Sequence, residues 1–136
     1  MIYGELTLDW DYYMIKMLKQ HKSKVLELIK STTTKIQVLD TKKGLNLIAE
    51  LKEPADLNQL LLLRLYCFDD IFRIRNEISK SFDNQAHRIN RIWSTKDGYT
   101  KTTIFSEETK KFNIAEFDKF LVMIENKRPI KEEAKK

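Results

Sequence analysis

The sequence predicts an α+β fold, an antiparallel sheet of hairpins with an N-terminal and a C-terminal amphipathic helix. Three observations predict it. Ile2, Gly4, Leu6 and Leu8 alternate with Tyr3, Glu5 and Thr7, the period of a half-buried strand. Three later pairs of apolar runs are broken by turn residues, at 40–44, at Asp69–Asp70 and at 95–98. Apolar stripes with helical spacing flank them, from Trp10 to Ile29 and from Ile114 to Ile124. Packing both helices on one sheet buries all of these faces together.

Taken in order, the opening strand runs from Ile2 to Leu8, and Asp9 stands where a helix cap is needed. The first helix carries Trp10, Tyr13, Met14, Met17, Leu18, His21, Val25, Leu28 and Ile29 on one side and ends near Ser31. Lys35 to Leu39 and Leu45 to Leu51 form a hairpin around 40–44, with Gly44 free to take a positive φ. Lys52 to Asn58 reads as a loop containing Pro54, or alternatively as the start of a short helix running into the leucines. Leu60 to Ile78 reads as the central hairpin, and 79–87 as an exposed linker. Arg88 to Ser94 and Tyr99 to Phe105 make a third hairpin with Gly98 left-handed, and 106–112 is polar and loop-like. Asn113 caps the last helix, which Pro129 stops. Residues 1–128 are one domain, and 129–136 form a charged tail expected to be disordered.

The central hairpin holds the most specific pattern. With Asp69 and Asp70 as its turn, Arg64 faces Arg75 and Tyr66 faces Arg73 on one side of the strands. Leu63, Leu65, Cys67, Phe72 and Ile74 fill the other, which is expected to be core. Two arginines in a cross-strand pair repel by about 0.2–1 kcal/mol unless an anion lies between them. Phosphate fits that position, and so does a carboxylate of a partner or of this chain, such as Glu77 or Glu50. The net charge is +5 and the pI about 9.2, and between Leu60 and Trp93 the basic residues are mainly arginine: 64, 73, 75, 88 and 91. Arginine grips phosphate and carboxylate through a planar fork and stacks on rings. The residues expected to meet a partner or RNA are therefore Arg64, Tyr66, Arg73, Arg75, Arg88, Arg91 and Trp93.

Catalytic patterns are missing. The chain contains no P-loop, GxGxxG, HExxH, GxSxG or CxxC motif, and its three glycines are too few for a phosphate-cradling loop. His21 lies on an apolar stripe, His87 has no identified partner, Cys67 reads as a small core side chain, and Asp69 with Asp70 as turn formers. The expectation is a protein that is not an enzyme and takes no cofactor, metal or small-molecule substrate. The lone cysteine rules out an internal disulfide, the N-terminal residues do not read as a secretory signal, and no apolar run approaches the roughly 20 residues of a membrane span. A cytoplasmic location without membrane partners is expected.

Two stretches, LLLLRLYCFDDIFRIRNE (60–77) and RINRIWSTKDGYTKTTI (88–104), resemble the small accessory subunits of type III-D CRISPR effector complexes. The resemblance covers about a third of the chain. It implies a non-catalytic accessory subunit of an antiviral-defense ribonucleoprotein, binding larger protein subunits and the guide RNA backbone. The alternative from composition and size is a stand-alone interaction protein of the toxin-neutralising or phage-encoded inhibitor type.

Overall fold

The computed structural model describes residues 2–83, 85–92, 95, 96 and 98–129 of the chain. Strand β1 (Tyr3–Asp11) leads through a 3-10 turn into α1 (Ile15–Gln20) and α2 (Lys22–Thr32), then β2 (Thr33–Asp40) and β3 (Gly44–Ala55). A pair of helices follows, α3 (Leu57–Tyr66) and α4 (Ile71–Phe82). The two-residue strands β4 (Thr95–Lys96) and β5 (Tyr99–Thr100) precede β6 (Thr102–Glu108) and the last helix, α5 (Ile114–Glu125). The four long strands form one antiparallel sheet in the order β1-β3-β2-β6, so the α+β class holds.

Register places the core. Leu6 pairs with Ala49, Leu8 with Leu47 and Trp10 with Leu45, while Ile36 and Val38 lie across from Ala49 and Leu47 on the other side of β3. These side chains share one face and are buried with Leu18, Val25, Ile29, Phe117, Leu121 and Ile124 of the three covering helices α1, α2 and α5. Trp10 stacks on Phe117 with ring centroids 5.3 Å apart, and its indole N–H donates to the Cys67 carbonyl at 2.9 Å.

Several expectations shift at their boundaries. Trp10 fits both the strand period and the helical stripe, and pairing with Leu45 beneath Phe117 keeps it in β1. The cap consequently moves to Asp11, whose Oδ1 accepts the Tyr12 N–H at 2.7 Å. The single predicted helix is broken at His21, which has a non-helical ψ and stacks on Phe68. Gly44 is required for a different reason than turn geometry, since its φ is not left-handed and a Cβ there would lie 1.8 Å from the Trp10 carbonyl oxygen. Gly44→Ala must push β1 and β3 apart, and an overpacking cost of about 1–3 kcal/mol is expected in urea unfolding. Gly98 does take φ 77° as expected. β6 runs on through Glu108, where a polar loop was expected. The third hairpin is not formed as expected: of its first strand, 88 ends a 3-10 turn and 89–92 is irregular, its turn residues Thr95–Lys96 are β4, paired with β5, and its second strand is split between β5 and β6, the latter paired with β2. The predicted tail from 130 onward lies outside the described residues.

The largest correction concerns 60–78, which is a helical pair and not a β-hairpin. Asp56 accepts the Gln59 N–H while the Gln59 side chain accepts the Asp56 N–H, a reciprocal cap that starts α3 and extends the helix alternative considered for Pro54 to Leu57. Leucine and arginine are strong helix formers, so LLLLRLY continues it. At the other end Phe68 takes φ 59°, with Phe68 N–H on the Leu65 carbonyl and Asp69 N–H on that of Arg64, a Schellman closure without glycine. Asp70 then caps α4 through the Phe72 N–H at 2.9 Å. Both aspartates are turn residues, as read, but they turn between helices. The expected apolar face therefore divides: Cys67 and Ile74 are buried, whereas Leu65 and Phe72 are exposed.

Candidate functional site

The helical pair is anchored on the outer edge of β1. An edge strand presents unpaired backbone groups every second residue, and here four of them are met. Asn90 Nδ2 donates to the Glu5 carbonyl at 2.7 Å, Arg73 to the Thr7 carbonyl at 3.1 Å, and the Asp70 N–H to the Asp9 carbonyl at 3.1 Å. The Asp9 N–H in turn donates to Asp69 Oδ1 at 2.7 Å.

Behind these contacts lies a buried charge network. Arg64 donates to Asp69 Oδ2 at 2.8 Å through Nε and pairs with Glu77, while Arg73 reaches Asp69 Oδ2 at 3.0 Å. Glu77 also accepts the Asn90 N–H at 2.9 Å. Arg64 is 0% exposed. The helical geometry explains the pairing, since Arg64 sits one helix away from Glu77 and close to the turn, and not across from Arg75. Arg64 is thus removed from any partner surface, and the anion it needs is this chain's own, as the Glu77 alternative allowed. Burial pushes the Asp69 carboxyl up, against the pull of Arg73 and Arg64. Burial likewise lifts the Cys67 thiol to about 12, with Asp69 adding to the shift, so Cys67 packs as a neutral side chain.

In front of the network, α4 and the polar face of the sheet enclose a cleft of about 450 Å³. Arg73, Lys80, Arg88, Arg91 and Lys101 line it, with Phe72 and Ile92 as its apolar lining and Asn46 on the sheet. Arg64 and Arg73 balance Asp69 and Glu77 in charge, which leaves Lys80, Arg88, Arg91 and Lys101 against Asp9 and Asp70. The cleft is basic by difference. Asn46 is 2% exposed; its Nδ2 donates to Asp9 at 3.0 Å, and its buried Oδ1 accepts no hydrogen bond among the described residues.

Of the predicted site residues, the fold brings Arg73, Arg88 and Arg91 together. Tyr66 and Arg75 are exposed on the helical pair but do not line the cleft, and Trp93 lies outside the described residues. Lys80, Lys101, Phe72 and Asn46 were missed. The spacing of Arg73, Asn76 and Lys80 would have signalled a shared face once α4 was read as helical. Among the described residues no three His, Cys, Asp or Glu side chains are placed to hold a metal, and no helix is long and apolar enough to cross a membrane.

Next to the cleft, Asp11 is lifted to about 6, first by burial and further by Asp9 and Asp70. A carboxyl raised in the folded state favours folding while protonated, so its contribution is full below about pH 4 and is lost as pH rises through 6. Asp11→Asn keeps the oxygen that caps Tyr12 and removes the titration. Wild type should lose stability relative to this variant between pH 4 and pH 7, by about 1 kcal/mol after discounting for solvent screening of a half-buried group. Thermal unfolding of both proteins across that range provides the measurement, and parallel pH profiles would contradict it.

Comparison of the chain with protein-family models, with curated proteins and with solved structures finds no match in any of the three.

Proposed function

We propose that this chain is a non-catalytic accessory subunit of a CRISPR-type ribonucleoprotein effector complex, binding larger protein subunits and holding the RNA backbone in the α4 cleft. The observation that carries the reading is the convergence of Lys80, Arg88, Arg91 and Lys101 on one cleft beside Phe72. Four cations within one nucleotide-sized space suit phosphodiester oxygens, and an exposed ring at the rim suits a stacked base. Residues 88–92 belong to the second stretch of the family resemblance, and Phe72 and Arg73 to the first. The leucine-rich part of that first stretch is helical here, so its support for the resemblance comes from side chains and not from strands.

The test is direct. The chain purified from its native host should carry RNA, seen as a raised ratio of absorbance at the nucleic-acid and protein maxima, together with larger subunits by mass spectrometry. The recombinant chain should bind a fluorescent oligouridine in anisotropy titrations at low salt. A host preparation with neither RNA nor larger subunits, combined with no oligouridine binding, would sink the reading.

A further inference from the structure

The cleft is basic, yet one of its most buried polar atoms calls for a donor. Arg88 and Arg91 are exposed, whereas Asn46, which lines the same cleft from β3, is 2% exposed. In the sheet Asn46 lies across from Asp9, and the contact between them fixes which way its amide points. The Asn46 Nδ2 donates to Asp9 Oδ1 at 3.0 Å, and a flipped amide would set two acceptors against each other. Oδ1 is therefore held as an acceptor, buried and without a donor among the described residues. β3 is paired on both sides, so the strand cannot turn this oxygen out to solvent. Buried acceptors of this kind are normally matched by a donor. A second, smaller pocket of about 30 Å³ is lined by Asp11 and Thr41 and shares Asp9, Asn46 and Lys101 with the cleft. That volume takes one water or one amine group and excludes a ring.

We infer that the α4 cleft selects nucleobases carrying an exocyclic amine, and that Asn46 Oδ1 is the acceptor that reads it. The inference rests on the RNA reading of the cleft and names the bases that the cleft takes. Burial orders the contacts. Arg88 and Arg91 meet phosphate at the surface, and Phe72, 60% exposed, offers a ring for stacking. A nucleotide held there turns its Watson–Crick edge inward, the edge by which single-stranded bases are usually read. The amine of cytosine or adenine then reaches Asn46 Oδ1 beside the Asp9 carboxylate, and the small pocket accommodates the amine but not the ring. Uracil has no amine. Its N3–H lies between two carbonyl oxygens, so a uracil that donates to Asn46 sets an oxygen against Asp9.

Fluorescent oligocytidine and oligouridine of equal length have the same backbone, so anisotropy titrations against the full chain isolate the contribution of the base. Oligocytidine is expected to bind about tenfold tighter, with the same salt slope. Asn46→Ala should bring the two affinities within about twofold of one another and leave oligouridine binding unchanged. On the wild-type chain, an oligomer of pyrimidin-2-one riboside, which is cytidine without its amine, should bind no more tightly than oligouridine. That comparison decides the matter if Asn46→Ala fails to fold. Equal affinity for oligocytidine and oligouridine, or a preference for uridine, would overturn the inference and leave the RNA reading standing. So would a cytidine preference that survives Asn46→Ala or loss of the amine. Binding of neither oligomer would overturn both.

Discussion

Arg64→Ala is expected to lower stability by about 3–5 kcal/mol, more than any truncation of a surface arginine in this chain. The cause is electrostatic. Arg64 is fully buried between Asp69 and Glu77, and its removal leaves Glu77 with Arg73 Nε at 4.0 Å as its nearest cation. An unpaired carboxylate in that setting must be desolvated without compensation or take up a proton. Urea denaturation followed by circular dichroism measures the loss. A double replacement, Arg64→Met with Glu77→Met, removes the orphaned charge together with its partner and should recover more than half of it. If Arg64→Ala alone proved neutral, the network could not be what clamps the helical pair to β1. The same logic separates structure from binding: Arg64 acts on partners only through the fold.

Arg88→Glu combined with Arg91→Glu should do the reverse, weakening RNA binding with little change in stability. Both side chains are exposed at the cleft, where substitutions usually move stability by less than about 0.5 kcal/mol. If each arginine neutralises one phosphate of single-stranded RNA, the slope of log affinity against log salt should fall by about 1.4 in magnitude. At low salt the affinity for oligouridine should drop on the order of a hundredfold, since two attractions become repulsions. Anisotropy titrations over a salt series give both quantities. Unchanged affinity and slope would remove the cleft from the RNA-binding surface, and a matching loss with Arg75→Glu would move that surface to the outer face of α4.

The sheet was legible because its strands carry decisive local signals. Alternation from Ile2 to Leu8 and the turn at 40–44 place β1, β2 and β3 within a few residues, and Asn113 with its apolar stripe places α5, whose Glu116 N–H the Asn113 side chain caps. The central pair was misread because LLLLRLYCFDDIFRIRNEI satisfies two periods. Its leucines tolerate either a strand or a helix, and Asp69 and Asp70 are equally good between strands and before a helix. The deciding signals were outside the run, in Asp56 with Gln59, and in the unpaired edge of β1 that the turn must meet.

The candidate site shows the same division. Five arginines between Leu60 and Trp93 can be counted in the sequence, but all look alike there. The sequence by itself determined the class of fold, the positions of its main strands and last helix, the concentration of arginine in one stretch and the lack of catalytic motifs. Only the tertiary structure decided which arginine is clamp and which is surface. Arg64 and Arg73 are drawn to Asp69 and Glu77 because a buried carboxylate and an open strand edge must both be satisfied at once. Arg88, Arg91 and Arg75 stay exposed at the surface. That assignment depends on groups far apart in sequence, Thr7 with Arg73 and Glu5 with Asn90, and no local pattern encodes it.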